Sequence, residues 1–197
     1  MVSLRELYKH LHEYPHRDHL DGRSSIARAY SRVALRAIAN VDPQRGFYLW
    51  GCYEPRGLWR NLYLGKADSG KTANLRARIL EELRDERIAL LRTLFTKDEI
   101  WTASAQIYAT MWHKYLKHGE RAIQKAGATH IVWVSTPNIK DDVREIEADL
   151  IETLNPSANI LRPVPPSRLQ ARTKEVLACL RETIHEHRSD RFPVILR

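Results

Sequence analysis

Gly65-Lys-Ala-Asp-Ser-Gly70-Lys71-Thr72 spells G-x-x-x-x-G-K-[ST]. In loops of that pattern the backbone amides cradle phosphates, the lysine reaches the terminal ones and the hydroxyl holds magnesium. It lies between a strand-like and a helix-like segment, so a phosphate-loop nucleotide-binding protein is one reading of the chain. Such a loop, however, belongs to a sheet of several buried parallel strands. After Thr72 only one good strand pattern follows, over 130–135, and it runs into Val134-Ser135-Thr136 with no acidic residue to share a metal. The 46–65 segment reads as antiparallel. The same eight letters also describe a flexible turn opening into a helix.

Other residues carry a different chemistry. Hydrolysing a phosphodiester needs a group to deprotonate water, a cation to neutralise the developing oxyanion and a donor to orient the phosphate. Val143, Glu147, Leu150 and Leu154 follow 4, 3, 4 spacing, which puts Glu147 on the apolar stripe of its helix, where an unpaired charge is costly. A divalent metal would compensate it, whereas Asp141, Asp142, Glu145, Asp149 and Glu152 read as the solvated face. A single carboxylate with open coordination positions suits Mg2+ or Mn2+, which keep several waters and bind substrate phosphate. Tyr48 and Tyr63, facing each other from a hairpin, are candidates for activating water. A phenol ordinarily titrates near ~10, so positive charge from Lys66, Arg78 or a metal is needed to lower it. Arg76 and Arg78 lie on the helix starting near Thr72 and face different directions, and either guanidinium can fork onto two phosphate oxygens.

The ordered set Gly46-Phe47-Tyr48, Tyr63-Leu64-Gly65-Lys66, Asn74-Leu75 with Arg78, Glu147-Ala-Asp-Leu-Ile151, Asn155-Pro156 and Asn159 resembles the GIY-YIG nuclease superfamily over roughly residues 44–161. Phe47 and Leu64 stand where the family has isoleucine. The resemblance implies a metal-dependent DNA endonuclease, restriction-type or free-standing. In it Tyr48 activates the water, Tyr63 supports it or contacts the phosphate, Lys66 assists, and Arg78 rather than Arg76 grips the phosphate. Glu147 is then the catalytic metal ligand, and Asn159 ties its loop to the site by hydrogen bonds. Gly46 and Gly65 are the motif glycines. One departure stands out: many members have a histidine one helical turn after the arginine, and here that position is Glu82. A non-catalytic DNA-binding module on the same scaffold is the remaining alternative.

The elements that must position these residues follow from apolar spacing and breakers. Helical spacing covers 3–12 and 24–39, the latter with Ser24 or Ser25 as N-cap, and Pro43 closes this prefix. Gly46–Tyr53 and Asn61–Gly65 flank a Pro/Gly turn and read as a hairpin. Helical patterns run from Thr72 to about Arg92 and over 97–125, a strand over 129–135, and helices over Asp141–Leu154 and about Ser167–Glu186. Phe192–Leu196 is a candidate edge strand. The predicted class is α/β (α+β), a short antiparallel three-stranded sheet flanked by helices. The division is a helical extension (1–43), a GIY-YIG-like core (44–161) with a helical insertion at about 85–128, and a Pro-rich link with a C-terminal helix (162–197).

Composition agrees with a polyanion partner. The 197 residues hold 32 Lys+Arg against 24 Asp+Glu, a net charge of +8. The excess is spread as +3 over 1–45 (8 basic, 5 acidic), +3 over 46–98 (10, 7), −1 over 99–162 (7, 8) and +3 over 163–197 (7, 4), so the basic surface is assembled by folding and is not a tail. DNA is the expected partner, and a double-strand cut would suit a homodimer formed through 97–125 or 168–197. With 43% hydrophobic residues, no apolar run long enough to cross a bilayer and no apolar stretch after the start, the expectation is a cytoplasmic protein without membrane attachment. Two cysteines, Cys52 and Cys179, are too few for a disulfide framework. His10, His12, His16 and His19 read as a solvated surface, and Trp101, Tyr108, Trp112 and Tyr115 as core aromatics.

Overall fold

The computed structural model describes residues 1–4, 25–53, 57–68, 74–84, 129–139, 142–156, 159 and 169–189. Gly70, Lys71 and Thr72, the four N-terminal histidines, the 85–128 insertion with its aromatics, the Pro-rich link and the 192–196 segment lie outside them.

The described chain is a mixed α/β structure: a four-stranded antiparallel sheet, in the order β1-β4-β2-β3, with helices on both faces. The strands are β1 (Val2–Ser3), β2 (Gly46–Tyr53), β3 (Trp59–Ala67) and β4 (His130–Ser135). The helices are α1 (Ser25–Ala37), α2 (Leu75–Arg84), α3 (Val143–Leu154) and α4 (Ala171–Ser189). The sheet therefore has one strand more than the three expected. Val2 and Ser3 pair with Ile131 and His130 on the outer side of β4, and the Leu4 N–H donates to Thr129 O at 2.9 Å. Residues 3–4 thus open in an extended conformation rather than a helix. A two-residue strand has no period from which to read it.

β2 is the inner strand that reads as a continuous aromatic and aliphatic run, and from Gly46 to Cys52 it is buried. Its alternation sorts the two faces of the sheet. Phe47 and Leu49 join Leu64 and Val132 against Ile146 and Leu150 of α3 and Val176, Leu177 and Leu180 of α4. The C-terminal helix is therefore part of the same hydrophobic core as the hairpin. Burial of each large apolar side chain contributes roughly 1.5–3 kcal/mol. The opposite face carries Gly46, Tyr48 and Trp50. There the α2 residue Leu75 lies so close to Gly46 that a side chain at 46 would meet it and the carbonyl of Val134.

The helix ends follow local chemistry. Asn74 accepts the Ala77 N–H at 2.7 Å and caps α2, which accordingly starts at Leu75 rather than Thr72, and Leu75, Ile79 and Leu83 bury its apolar stripe. Asn155 takes the left-handed conformation (φ 44) at the end of α3, its N–H returning to Ile151 O, and Pro156 follows. In the hairpin, Trp50 pairs with Tyr63 but Gly51 pairs with Asn61, so Leu62 is an extra residue in β3. This bulge shifts the alternation of the distal half of β3 by one residue. Asn61 consequently shares the face of α3 and donates its side-chain N–H to the carbonyl of Leu154 at 2.7 Å.

Candidate active site at the sheet edge

Among the described strands β3 is an edge of the sheet, and its last residues carry side chains to both faces. Lys66 is the partner of Phe47 and faces α3, whereas Gly65 is the partner of Tyr48 and faces α2. A cleft of about 250 Å³ wraps this edge, lined by Tyr48, Tyr63, Gly65, Lys66, Ala67, Asp68, Arg78 and Glu147. The structure thus brings together Tyr48, Tyr63, Lys66, Arg78 and Glu147, which come from two strands and two helices.

Tyr48 is fully buried, and its ring lies across Gly65. The rings of Tyr48 and Tyr63 stand 6.4 Å apart at 54°. Arg78 donates from Nε to the Tyr48 hydroxyl oxygen at 3.4 Å and from its terminal nitrogen to Glu81 at 2.9 Å. Arg76 turns the other way, donating to the carbonyls of Val41 (2.8 Å) and Ala39 (3.1 Å) and fastening α2 to the end of the helical prefix.

On the other face, Lys66 Nζ lies 3.2 Å from Glu147 Oε2 and 3.2 Å from Asp68 Oδ2. The Lys66 and Glu147 side chains are 20% and 25% exposed. Burial raises the Glu147 pKa above the ordinary carboxylate value, opposed by the Lys66 ammonium, while Asp68 adds to the rise and Arg144 to the opposition. Gly46 is at the opening of β2, where it permits the approach of Leu75 rather than lining the cleft. Asn159 is buried beside β3: it accepts the Leu64 N–H at 2.8 Å and donates to the Leu64 carbonyl at 2.9 Å. The loop after α3 is thereby attached to the residue between Tyr63 and Gly65.

Three acidic residues gain roles that the sequence did not suggest. Asp68 and Glu81 hold the cleft cations. Asp149 is 2% exposed, not on a solvated face: it accepts from Thr173 Oγ1 at 3.0 Å and from the Gln170 N–H at 3.4 Å, at the start of α4. α3 is packed against the sheet on one side and α4 on another, so its buried arc is wider than one apolar stripe; the run Ala148-Asp149-Leu150-Ile151 is buried throughout.

Among the described residues no group of three or more His, Cys, Asp and Glu converges as a metal site. What the cleft offers a cation is one desolvated carboxylate, Glu147, already drawn to an ammonium, with Asp68 beside it. Hard oxygen donors in that number fit magnesium or manganese, which retain most of their water shell. The phosphate-loop arrangement does not fit the antiparallel β2–β3 hairpin, which lacks the parallel strands such loops terminate. No described helix is long and apolar enough to cross a membrane. No protein-family model matches the chain, and no curated protein and no solved structure proves detectably similar to it.

Proposed function

We propose that the chain is a metal-dependent endonuclease that hydrolyses DNA phosphodiesters at the β3 edge. The observation that carries this reading is the convergence of Tyr48, Arg78, Lys66 and Glu147 on one cleft, from residues up to 99 positions apart (48 to 147). The order of the GIY-YIG-like residues supports it, and the +8 charge agrees with a polyanionic substrate.

In the proposed reaction water attacks phosphorus in line with the 3′ oxygen. Tyr48 takes the proton from that water, and the Arg78 guanidinium beside it stabilises negative charge on the phenol oxygen. Arg78 also orients the phosphate through its remaining donors, while Tyr63 borders the attacking side and Lys66 supplies positive charge. Magnesium or manganese held by Glu147 would supply electrophilic stabilisation of the leaving 3′ oxygen. The burial of Tyr48 and the partial burial of Glu147 keep both groups in a low-dielectric setting, where fixed charges act more strongly than in water.

The test is incubation of the purified protein with plasmid and unrelated linear DNA, with Mg2+, with Mn2+ and with chelator. Metal-dependent cleavage is the expected result, discrete fragments marking a sequence-specific enzyme. DNA binding with a steep salt dependence and no cleavage under any condition would instead identify a binding module.

A further inference from the structure

The Lys66 ammonium sits where two carboxylates meet, 3.2 Å from Glu147 Oε2 and 3.2 Å from Asp68 Oδ2. The lysine belongs to β3, Glu147 to α3, and Asp68 follows the end of β3. The same nitrogen therefore bridges the strand edge to the helix, with one of its acceptors two residues along its own chain. We propose that Lys66 is a built-in substitute for the divalent cation: its ammonium occupies Glu147 until the metal displaces it, and Asp68 receives the displaced ammonium.

The geometry makes such an exchange inexpensive. Lys66 and Glu147 are mostly buried, so an ammonium or a carboxylate left without a counter-charge there would be costly. Because Asp68 already holds the same ammonium, release of Glu147 leaves neither charge stranded: Lys66 keeps Asp68, and the metal neutralises Glu147. The exchange also leaves the lysine with one of these two carboxylate partners, so that more of its charge is open to a phosphate in the cleft. Metal binding thereby converts an internally neutralised pocket into one with net positive charge, coupling metal and DNA affinity.

This inference rests on Glu147 being the metal carboxylate, and the experiment separates the two. Mn2+ binding to the full chain, without DNA and at low ionic strength, is read from the electron paramagnetic resonance signal of free Mn2+. Lys66→Met and Lys66→Gln should bind Mn2+ about three- to tenfold more tightly than the unsubstituted protein, the range expected for removing a partly buried ion-pair competitor. Asp68→Asn should bind about two- to threefold more weakly, since the ammonium then has Glu147 as its remaining partner of this pair. In the Lys66→Met background Asp68→Asn should weaken binding by markedly less than in the unsubstituted protein, leaving only the through-space attraction of a nearby carboxylate, the additivity failure that marks Asp68 as acting mainly through the lysine. If Glu147→Gln abolishes Mn2+ binding while both lysine variants bind no more tightly, the exchange is overturned and the metal carboxylate stands. A loss on Asp68→Asn as large in the lysine-free background as in the unsubstituted protein would overturn the receiving role. Mn2+ binding indifferent to Glu147→Gln would overturn the metal reading and the exchange with it.

Discussion

The ring of Tyr48 occupies the place that a side chain at Gly65 would fill: a Cβ there would collide with the ring carbon and hydroxyl oxygen of the tyrosine. The two residues are cross-strand partners, so the absence of a side chain in β3 sets where the phenol in β2 lies. The collision is with a ring packed into the sheet, which has little freedom to move aside.

Gly65→Ala should therefore displace the Tyr48 hydroxyl from Arg78 and suppress cleavage in a protein that still folds. Overpacking of this kind costs about 1–3 kcal/mol. Thermal unfolding and cleavage rate measured on the same preparation check it: a stable variant with unchanged cleavage would break the link between glycine and phenol.

Tyr48→Phe, Arg78→Ala and Glu147→Ala should each lower the cleavage rate by about 100-fold or more, the usual loss when an acid–base group or an oxyanion-stabilising group is removed. DNA binding, followed by fluorescence anisotropy, should survive in Tyr48→Phe and Glu147→Ala. Arg76→Ala, whose guanidinium ties α2 to Val41 and Ala39, should cost stability and leave the chemical step intact in the folded fraction. Undiminished cleavage by either Arg78→Ala or Glu147→Ala would sink the assignment.

The raised pKa of Glu147 has a pH consequence with a definite sign. A carboxyl that holds its proton more tightly when folded contributes stability that is complete below its unfolded pKa and disappears as pH rises through the folded value. In the presence of chelator, Glu147→Gln should match the unsubstituted protein near pH 4 and become the more stable of the two as pH approaches neutrality. Urea unfolding of both proteins between pH 4 and 8 measures this. Greater instability of Glu147→Gln throughout would mean that the attraction of Lys66, not burial, dominates at this carboxylate.

Asp149 joins the helix carrying Glu147 to the start of α4 through Thr173 and the Gln170 N–H. Asp149→Ala should destabilise the fold by about 1–3 kcal/mol, because the Thr173 hydroxyl and a helix-terminal N–H lose a buried charged acceptor. Thr173→Val should cost about 1 kcal/mol by leaving one carboxylate oxygen short of a donor. Equilibrium denaturation of the two single variants and the double variant would show coupling between them; strictly additive effects would deny the bond its role.

Legibility in the sequence divided along physical lines. Hairpin, strand β4 and helices α1 to α4 were readable because apolar periodicity and Pro, Gly and Asn breakers act over a few residues, and Asn74 caps α2 within three residues of the expected start. The fourth strand was not, since Val2-Ser3 is extended through its pairing with β4 and not through any local preference. At the cleft, residue types and order singled out Tyr48, Tyr63, Lys66, Arg78 and Glu147. Their partners, Asp68 for Lys66 and Glu81 for Arg78, depend on side-chain reach around a sheet edge, which spacing does not encode. Asp149 was misassigned because helical periodicity describes burial against one surface, and α3 has two.

Asn159 has one more effect. With its amide it presents to Leu64 one acceptor and one donor, as the backbone of a neighbouring strand would. Among the described strands β3 ends the sheet on this side, and an unmet N–H and C=O there would be a template for a strand from another molecule. The side chain therefore works as a one-residue stopper against edge-to-edge association. Its removal endangers colloidal behaviour as well as the site, and a concentration-dependent self-assembly of Asn159→Ala would be the mark of an opened edge.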